Sequence, residues 1–157
     1  MKKKKSEHYV DNKKFLAEMV LFKEKCDKAK AKGKPNPPIT NYMGECFLKI
    51  ANHLSYRPNF INYTYKDDMI SDGIENCLQY VANFNPDKSD NPFAYYTAAV
   101  NNSFTRVLNI EKRNQTIRDD ILIEQGHLPS YGRQIAHEEQ IRAMREAAEE
   151  DTQSLAD

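Results

Sequence analysis

The chain has 157 residues, of which 39% are hydrophobic and 29% are charged, and its 23 Lys and Arg balance its 23 Asp and Glu. This length fits one domain with a modest core, and the zero net charge argues against a protein that coats DNA nonspecifically. No apolar run reaches membrane-spanning length, and the Lys2–Lys5 cluster is not followed by the apolar segment of a secretion signal. We therefore expect a cytoplasmic protein without a membrane partner.

The charges are unevenly distributed along the chain. Residues 1–38 contain 12 Lys and Arg against 5 Asp and Glu, whereas residues 119–157 contain 3 against 10. Such asymmetry is typical of interaction tails. We predict a basic N-terminal tail, helix and linker at 1–38, a compact helical domain at 39–125, and a partly ordered acidic helix and tail at 126–157. The fold class is all-α, because no segment alternates in the way a strand would.

The N-terminal third predicts two helices separated by a linker. Residues 1–10 form a loose basic tail that is either simply solvated or attracts phosphate. Asp11 or Asn12 caps a helix that runs to about Lys32, and KAKAKGKPNPP ends it as a linker because Gly and Pro break helices. A second helix begins at Thr40 and runs to about Tyr56. The irregular stretch RPNFINYTY follows it.

Two further helices, joined by the polar turn NPDKSDN, occupy the centre of the chain. The first is expected from Tyr65 to Phe84, with Thr64 and Asp67 as a capping-box-like pair. The second runs over 92–113, with Asn91 as its cap and Pro92 at its first position. Helical spacing predicts the following buried stripe for it: Phe93, Tyr96, Thr97, Val100, Phe104, Val107 and Leu108. The first helix offers an acidic and amide surface, and the second offers aromatic, amide and basic side chains.

The segments DMISDGIENCLQYVANFNP and NPFAYYTAAVNNSFTRV resemble region 2 of bacterial sigma factors. In that region an Asp-aliphatic-Ile-x-acid-Gly stretch leads through an apolar helix to Phe, and then to a Phe-x-x-Tyr helix. Upstream, CFLKIANHLSYR is similar to the preceding region 2 helix. The short chain, the YVDNKKFLAEM opening and the NPFAY variant are most similar to the late-transcription sigma factors of T4-type bacteriophages. The resemblance covers roughly residues 9 to 123 and implies a compact sigma region 2-like domain.

The resemblance implies that the first central helix binds bacterial core RNA polymerase. In sigma factors the matching helix contacts the clamp helices of the β′ subunit, where carboxylates meet basic side chains around an apolar centre. The residues implied at this contact are Asp68, Ser71, Asp72, Ile74, Glu75 and Leu78. The alternative is that these residues form the solvated face of an ordinary bundle helix.

The resemblance also implies that the second central helix contacts the A·T-rich −10 element of a promoter. Tyr96 matches the family's base-stacking tyrosine, and base stacking on aromatic side chains stabilises unpaired strands. The residues implied in DNA binding are Tyr95, Tyr96, Asn101, Asn102, Ser103, Arg106, Asn109, Lys112 and Arg113. The alternative is that Phe93, Tyr96 and Phe104 are core residues. Ala99 and Val100 stand where primary sigma factors have two tryptophans, so an activator or an easily opened promoter has to compensate.

The C-terminal part predicts two weaker helices. A short helix is expected in NQTIRDDILIEQG, with Thr116 and Asp119 as a capping-box-like pair and Gly126 as its stop. A second helix runs from Gln134 to about Glu150, after the break HLPSYGR. In the T4-type family a hydrophobic C-terminal tail engages a DNA sliding clamp, which serves as co-activator. Leu155 is the only large apolar residue of the SLAD ending here.

The sequence does not predict an enzyme, a metal site or a cofactor. Its carboxylates have no His or Cys partner in a recognisable order, and its five glycines are scattered. Cys26, Cys46 and Cys77 lie on apolar helical faces as expected for buried thiols. The leading hypothesis is a phage sigma factor that acts in the infected host cell. A polymerase-binding regulator, such as an anti-sigma or host-takeover protein that does not read DNA, is the alternative, and a helical adaptor is the third.

Overall fold

The computed structural model describes residues 8–154, with side chains up to residue 149, and all of its regular structure in this range is helical. The helices are α1 (Asn12–Ala31), α2 (Asn41–Ser55), α3 (Lys66–Gln79), α4 (Pro92–Glu124) and α5 (Tyr131–Ser154), with a 3₁₀ turn at Val81–Asn83. The predicted all-α fold class is confirmed. The lysines of the expected basic tail at 2–5, together with Leu155, lie outside the described residues.

Side-chain caps begin three of the helices where the sequence predicts them. Asp11 accepts hydrogen bonds from two backbone amides in the first turn of α1, and the Thr40 hydroxyl oxygen accepts one, from Met43, in the first turn of α2. Asn91 Oδ1 accepts from the backbone N–H of Ala94 at 3.0 Å, and Pro92 is the first residue of α4. These caps satisfy backbone donors that have no partner within the helix.

The two predicted capping boxes are wrong. Tyr65, and not Thr64, is the cap residue of α3, and no side chain caps this helix. The Thr116 hydroxyl donates to the Lys112 carbonyl at 3.1 Å inside α4, which continues without interruption to Glu124 instead of ending at Arg113. A Thr in a helix interior commonly bonds back to the preceding turn in this manner. The first central helix is also shorter than predicted, because α3 ends at Gln79.

The chain divides into two units, the first ending at Leu108 and the second beginning at Asn109. The core of the first unit joins α1, α2 and α4. Phe15 of α1, Phe47 of α2 and Tyr96 of α4 have no exposed surface, and their ring centroids lie 4.7 to 6.0 Å apart. Fully burying an aromatic side chain contributes about 1.5–3 kcal/mol. Helices α1 and α2 therefore share one core.

Residues 8–10 pack onto the first unit, although the sequence predicted a loose tail there. Val10 is buried, and the ring of Tyr9 stacks on His53 with a centroid distance of 3.8 Å. Among residues 8–154, no helix combines the length and the apolar character needed to span a bilayer.

The second unit contains the last part of α4 and α5. Gly126, at φ 77°, ends α4 as predicted, and the N–H of His127 bonds to the Leu122 carbonyl at 2.8 Å. The buried carboxylate of Asp119 accepts hydrogen bonds from the backbone N–H and the hydroxyl of Ser130, both at 2.8 Å. These bonds hold the turn that leads into α5, so Asp119 acts at the start of α5 and not as a cap in the interior of α4.

Candidate functional site

The exposed face of α3 combines carboxylates with an apolar residue. Asp68, Ser71, Glu75 and Leu78 recur at helical spacing and are all exposed, with Leu78 retaining 44% of its surface. Ile74 is half-buried and packs against the core. The structure therefore places five of the six residues predicted for a polymerase contact on one side of α3, and we call these five the acidic face: Asp68, Ser71, Ile74, Glu75 and Leu78.

The opposite side of α3 is buried closely against α4. Met69, Gly73 and Cys77 are its buried residues. A Cβ at Gly73 would lie 2.9 Å from Phe104 Cε1 and 3.1 Å from Val100 Cγ1, so only glycine fits without displacement. The side chain of Asn76 also donates to the Ala99 carbonyl at 3.2 Å. The acidic face is thus carried by a helix that is firmly held in the first unit.

Asp72 pairs with two residues that the sequence assigned to a different surface. Arg106 Nη2 lies 2.9 Å and 2.8 Å from the two carboxylate oxygens of Asp72, and the Ser103 hydroxyl donates to Oδ2. Burial disfavours the charged form of Asp72, but the hydrogen bonds from Ser103 and Arg106 and the arginine charge outweigh it and lower the pKa of Asp72. The predicted partner-binding and DNA-binding residues therefore meet in one ionic cluster.

Tyr96 does not lie where a base could stack on it. It has no exposed surface, and its hydroxyl donates to the Val81 carbonyl at 3.2 Å. Burial raises its pKa far above the usual range for tyrosine. In this conformation Tyr96 is a core residue, as helical spacing alone indicated. Ser103 is buried as well, at 3% exposure, and its hydroxyl is hydrogen-bonded to the Asp72 carboxylate.

The remaining DNA-binding candidates are accessible. In the first unit Tyr95 and Asn102 are exposed and Asn101 is half-buried, and the ring of Tyr95 meets Phe84 edge-on at 5.3 Å. Tyr95 therefore has a rigid support and a free surface. The following candidates lie in the second unit and are exposed: Asn109, Lys112 and Arg113.

A cleft of about 820 Å³ at the start of α1 and α4 was not predicted from the sequence. Its lining includes Lys13, Lys14, Tyr42, Lys49, Asn91 and Phe93. Lys14 Nζ lies 4.4 Å from the centroid of the Tyr42 ring, a cation–π contact. The side chain of Asn12 accepts from the Phe93 amide at 3.1 Å, which joins α1 to the first turn of α4. The sequence does not distinguish these lysines from those of any solvated helix face, because only the tertiary packing brings them together.

The described residues contain no group of three or more His, Cys, Asp or Glu that could hold a metal ion. Cys26, Cys46 and Cys77 are buried and unbridged, as the sequence predicted. Burial raises the pKa of Cys77 to about 12, so this thiol stays protonated at neutral pH.

No model of a known protein family matches this sequence, and no curated protein matches it either. The likeness to sigma factor region 2 therefore stands on the quoted residues alone, and the function that it implies is a proposal.

Proposed function

We propose that the protein is a minimal sigma factor of the phage late-transcription type. It binds host core RNA polymerase through the acidic face of α3 and directs it to a −10-like, A·T-rich promoter element through α4. The observation that carries the proposal is the arrangement within the first unit. An exposed acidic and apolar face on α3 lies on the helix next to the one that presents Tyr95 and Asn102.

The acidic face has the composition of a protein-binding surface. Carboxylates around one exposed leucine suit a basic helix with an apolar centre, because the charges steer association and the leucine supplies apolar burial. In sigma factors the partner of the matching helix is the pair of β′ clamp helices, and the resemblance implies the same partner here.

The exposed part of α4 suits an unpaired strand. A ring such as Tyr95 can stack on a base, which is worth about 1–3 kcal/mol, and an asparagine such as Asn102 matches the edge of adenine. Since Tyr96 is buried in this structure, Tyr95 takes over the stacking role in the proposal.

The burial of Tyr96 and Ser103 and the lack of tryptophan favour a second candidate function. A polymerase-binding regulator that does not read the promoter would retain the acidic face and would not need base-stacking residues on α4. Transcription in vitro separates the two functions. Core polymerase with the purified protein should start transcripts at an A·T-rich −10 promoter if the protein is a sigma factor. Inhibition of a host sigma factor without new starts would indicate the regulator.

The polymerase contact can be tested with Asp68→Lys, because Asp68 is exposed and lies outside the Asp72 cluster. We expect the affinity for core polymerase to fall roughly 5- to 10-fold as a favourable contact becomes a like-charge one. Glu24→Lys, on the exposed surface of α1, makes the same charge change and should leave the affinity unchanged. Equal effects of the two variants would remove the acidic face from the proposal.

The strand contact can be tested with Tyr95→Ala in permanganate footprinting of open complexes. Loss of one stacking contact should lower the equilibrium constant for open-complex formation by about 5- to 150-fold. The permanganate reactivity of unpaired thymines should fall with it, while core binding is retained. Tyr56→Ala is the matched control, since Tyr56 is another exposed tyrosine, at 64%. Undiminished footprints with Tyr95→Ala would exclude this residue from base contact.

A further inference from the structure

A second cleft, of about 750 Å³, lies between the C-terminal half of α1 and the connection that leads into α4. We call it the lysine cleft. Its lining includes four lysines and a single acidic residue: Lys23, Lys30, Lys34, Lys88 and Asp27. Along the sequence these lysines belong to a helix, a linker and a turn. The fold gathers them on one concave surface.

Local backbone structure forms both walls of the lysine cleft. Gly33, at φ 65°, reverses the chain after α1, and the N–H of Lys34 bonds back to the Ala29 carbonyl at 2.9 Å. On the other wall the carbonyl of Asn85 accepts from the N–H of Lys88 at 3.1 Å. Because a hydrogen-bonded turn carries each wall, Lys34 and Lys88 are presented from defined backbone positions.

The charges in the lysine cleft are poorly compensated by the protein itself. Lys23 Nζ donates to the Ala82 carbonyl at 3.2 Å, which ties α1 to the opposite wall. Of the carboxylates that the structure describes, Asp27 alone lines the cleft beside the other three lysines. Like charges on a concave surface raise the local positive potential and attract anions.

The lining also indicates which anion fits. Three asparagines accompany the lysines: Asn36, Asn83 and Asn85. Within residues 8–149, no aromatic side chain belongs to the lining. Ammonium and amide donors suit phosphate oxygens, whereas base stacking needs an aromatic or guanidinium plane. The site is therefore suited to the backbone of a strand and not to its bases.

We propose that the lysine cleft binds the phosphodiester backbone of a single nucleic-acid strand without sequence preference. The choice of a polynucleotide over a small phosphate ester rests on the proposed function.

The test measures binding of a fluorescent oligothymidylate to the full-length protein over a range of salt concentrations. The variant Lys30→Gln, Lys34→Gln, Lys88→Gln removes three charges from the cleft. If all three contact phosphates, the slope of log K against log salt should become less steep by about 2, because a single strand gives about 0.7 per phosphate. The affinity should then fall by at most about 100-fold at 0.1 M salt.

The matched control makes the same Lys→Gln change at three exposed lysines on α1 and its C-cap. These lysines do not line the cleft: Lys25, Lys28 and Lys32. It should change the slope by much less than the cleft variant. Equal slopes for the two variants, or no binding of the strand by the wild-type protein, would overturn the proposal. Thymidine monophosphate that competes as well as the oligomer would show a small-phosphate site and would also overturn it. This assay contains no polymerase or promoter, so failure of promoter-specific initiation leaves its result unaffected.

Discussion

The close contact between α3 and α4 predicts that Gly73→Ala destabilises the protein. In an ordinary helix interior this change stabilises by about 0.8–1 kcal/mol, because alanine restricts the unfolded chain and favours the helix. At Gly73 the new Cβ would lie 2.9 Å from Phe104 and 3.1 Å from Val100, and both side chains are fully buried. Overpacking of a dense core costs about 1–3 kcal/mol, so we expect a net destabilisation of roughly 1 kcal/mol.

Gly44→Ala is the matched control, because Gly44 also lies inside a helix. Its new Cβ would meet only Ile39 Cδ1, at the ordinary contact distance of 3.6 Å. We expect this variant to be more stable than the wild type by about 0.5–1 kcal/mol. The two substitutions are chemically identical and should therefore have opposite signs.

Urea unfolding followed by near-ultraviolet circular dichroism of the tyrosines measures both effects. Eight of the nine tyrosines precede Leu108 and the chain has no tryptophan, so the signal reports on the first unit. The midpoint should fall for Gly73→Ala and rise for Gly44→Ala, with the slope unchanged. An equal rise for both variants would refute the close approach of α3 and α4.

Three further predictions concern buried polar groups. Tyr96→Phe removes the hydrogen bond to the Val81 carbonyl and should lower the free energy of unfolding in urea by about 0.5–1.5 kcal/mol. Binding of a nucleic-acid strand should stay unchanged, and its loss would contradict the burial of Tyr96. Hydrogen bonds from the Ser130 amide and hydroxyl and from Gln115 lower the pKa of Asp119. The contribution of Asp119 to folding stability is therefore complete above the usual carboxyl pKa, and it is lost as the pH falls through the lowered pKa. The difference in melting temperature between wild type and Asp119→Ala should therefore shrink on acidification below about pH 4, and a constant difference would exclude this role. The pKa of Cys77, raised to about 12 by burial, predicts slow labelling by a disulfide reagent at pH 8 and rapid labelling in urea; rapid labelling of the native thiol would show that Cys77 is accessible.

The sequence predicted helix positions well where the signal is local. Asp11, Thr40, Asn91 and Gly126 act within a few residues of themselves, so their effect can be inferred without knowing the fold. The predicted break after Arg113 was wrong, because Thr116 and Asp119 have the spacing of a capping pair but lie inside one continuous helix. No Gly or Pro occurs between Pro92 and Gly126, which is the sequence signal for one continuous helix.

The candidate site could be predicted only in part, because helical spacing and the family resemblance lead to different roles for Tyr96. Helical spacing placed Tyr96 in the buried stripe of α4, whereas the family resemblance assigned it to base stacking. The structure agrees with the spacing. The two clefts could not be predicted at all, since residues from three separate chain segments line each of them and no local pattern connects those segments.

The pairing of Asp72 with Arg106 has a consequence for any test of the proposed function. Replacing Asp72 by lysine would remove a carboxylate from α3 beside the acidic face and also release Ser103 and Arg106 on α4. A loss of polymerase binding in such a variant would therefore not identify a direct contact. The pair is exposed on its arginine side, at 59%, so solvent screens it and a basic partner can compete for the carboxylate. Variants of Asp68 and Tyr95 each alter one surface alone, and only such variants can separate polymerase binding from strand binding.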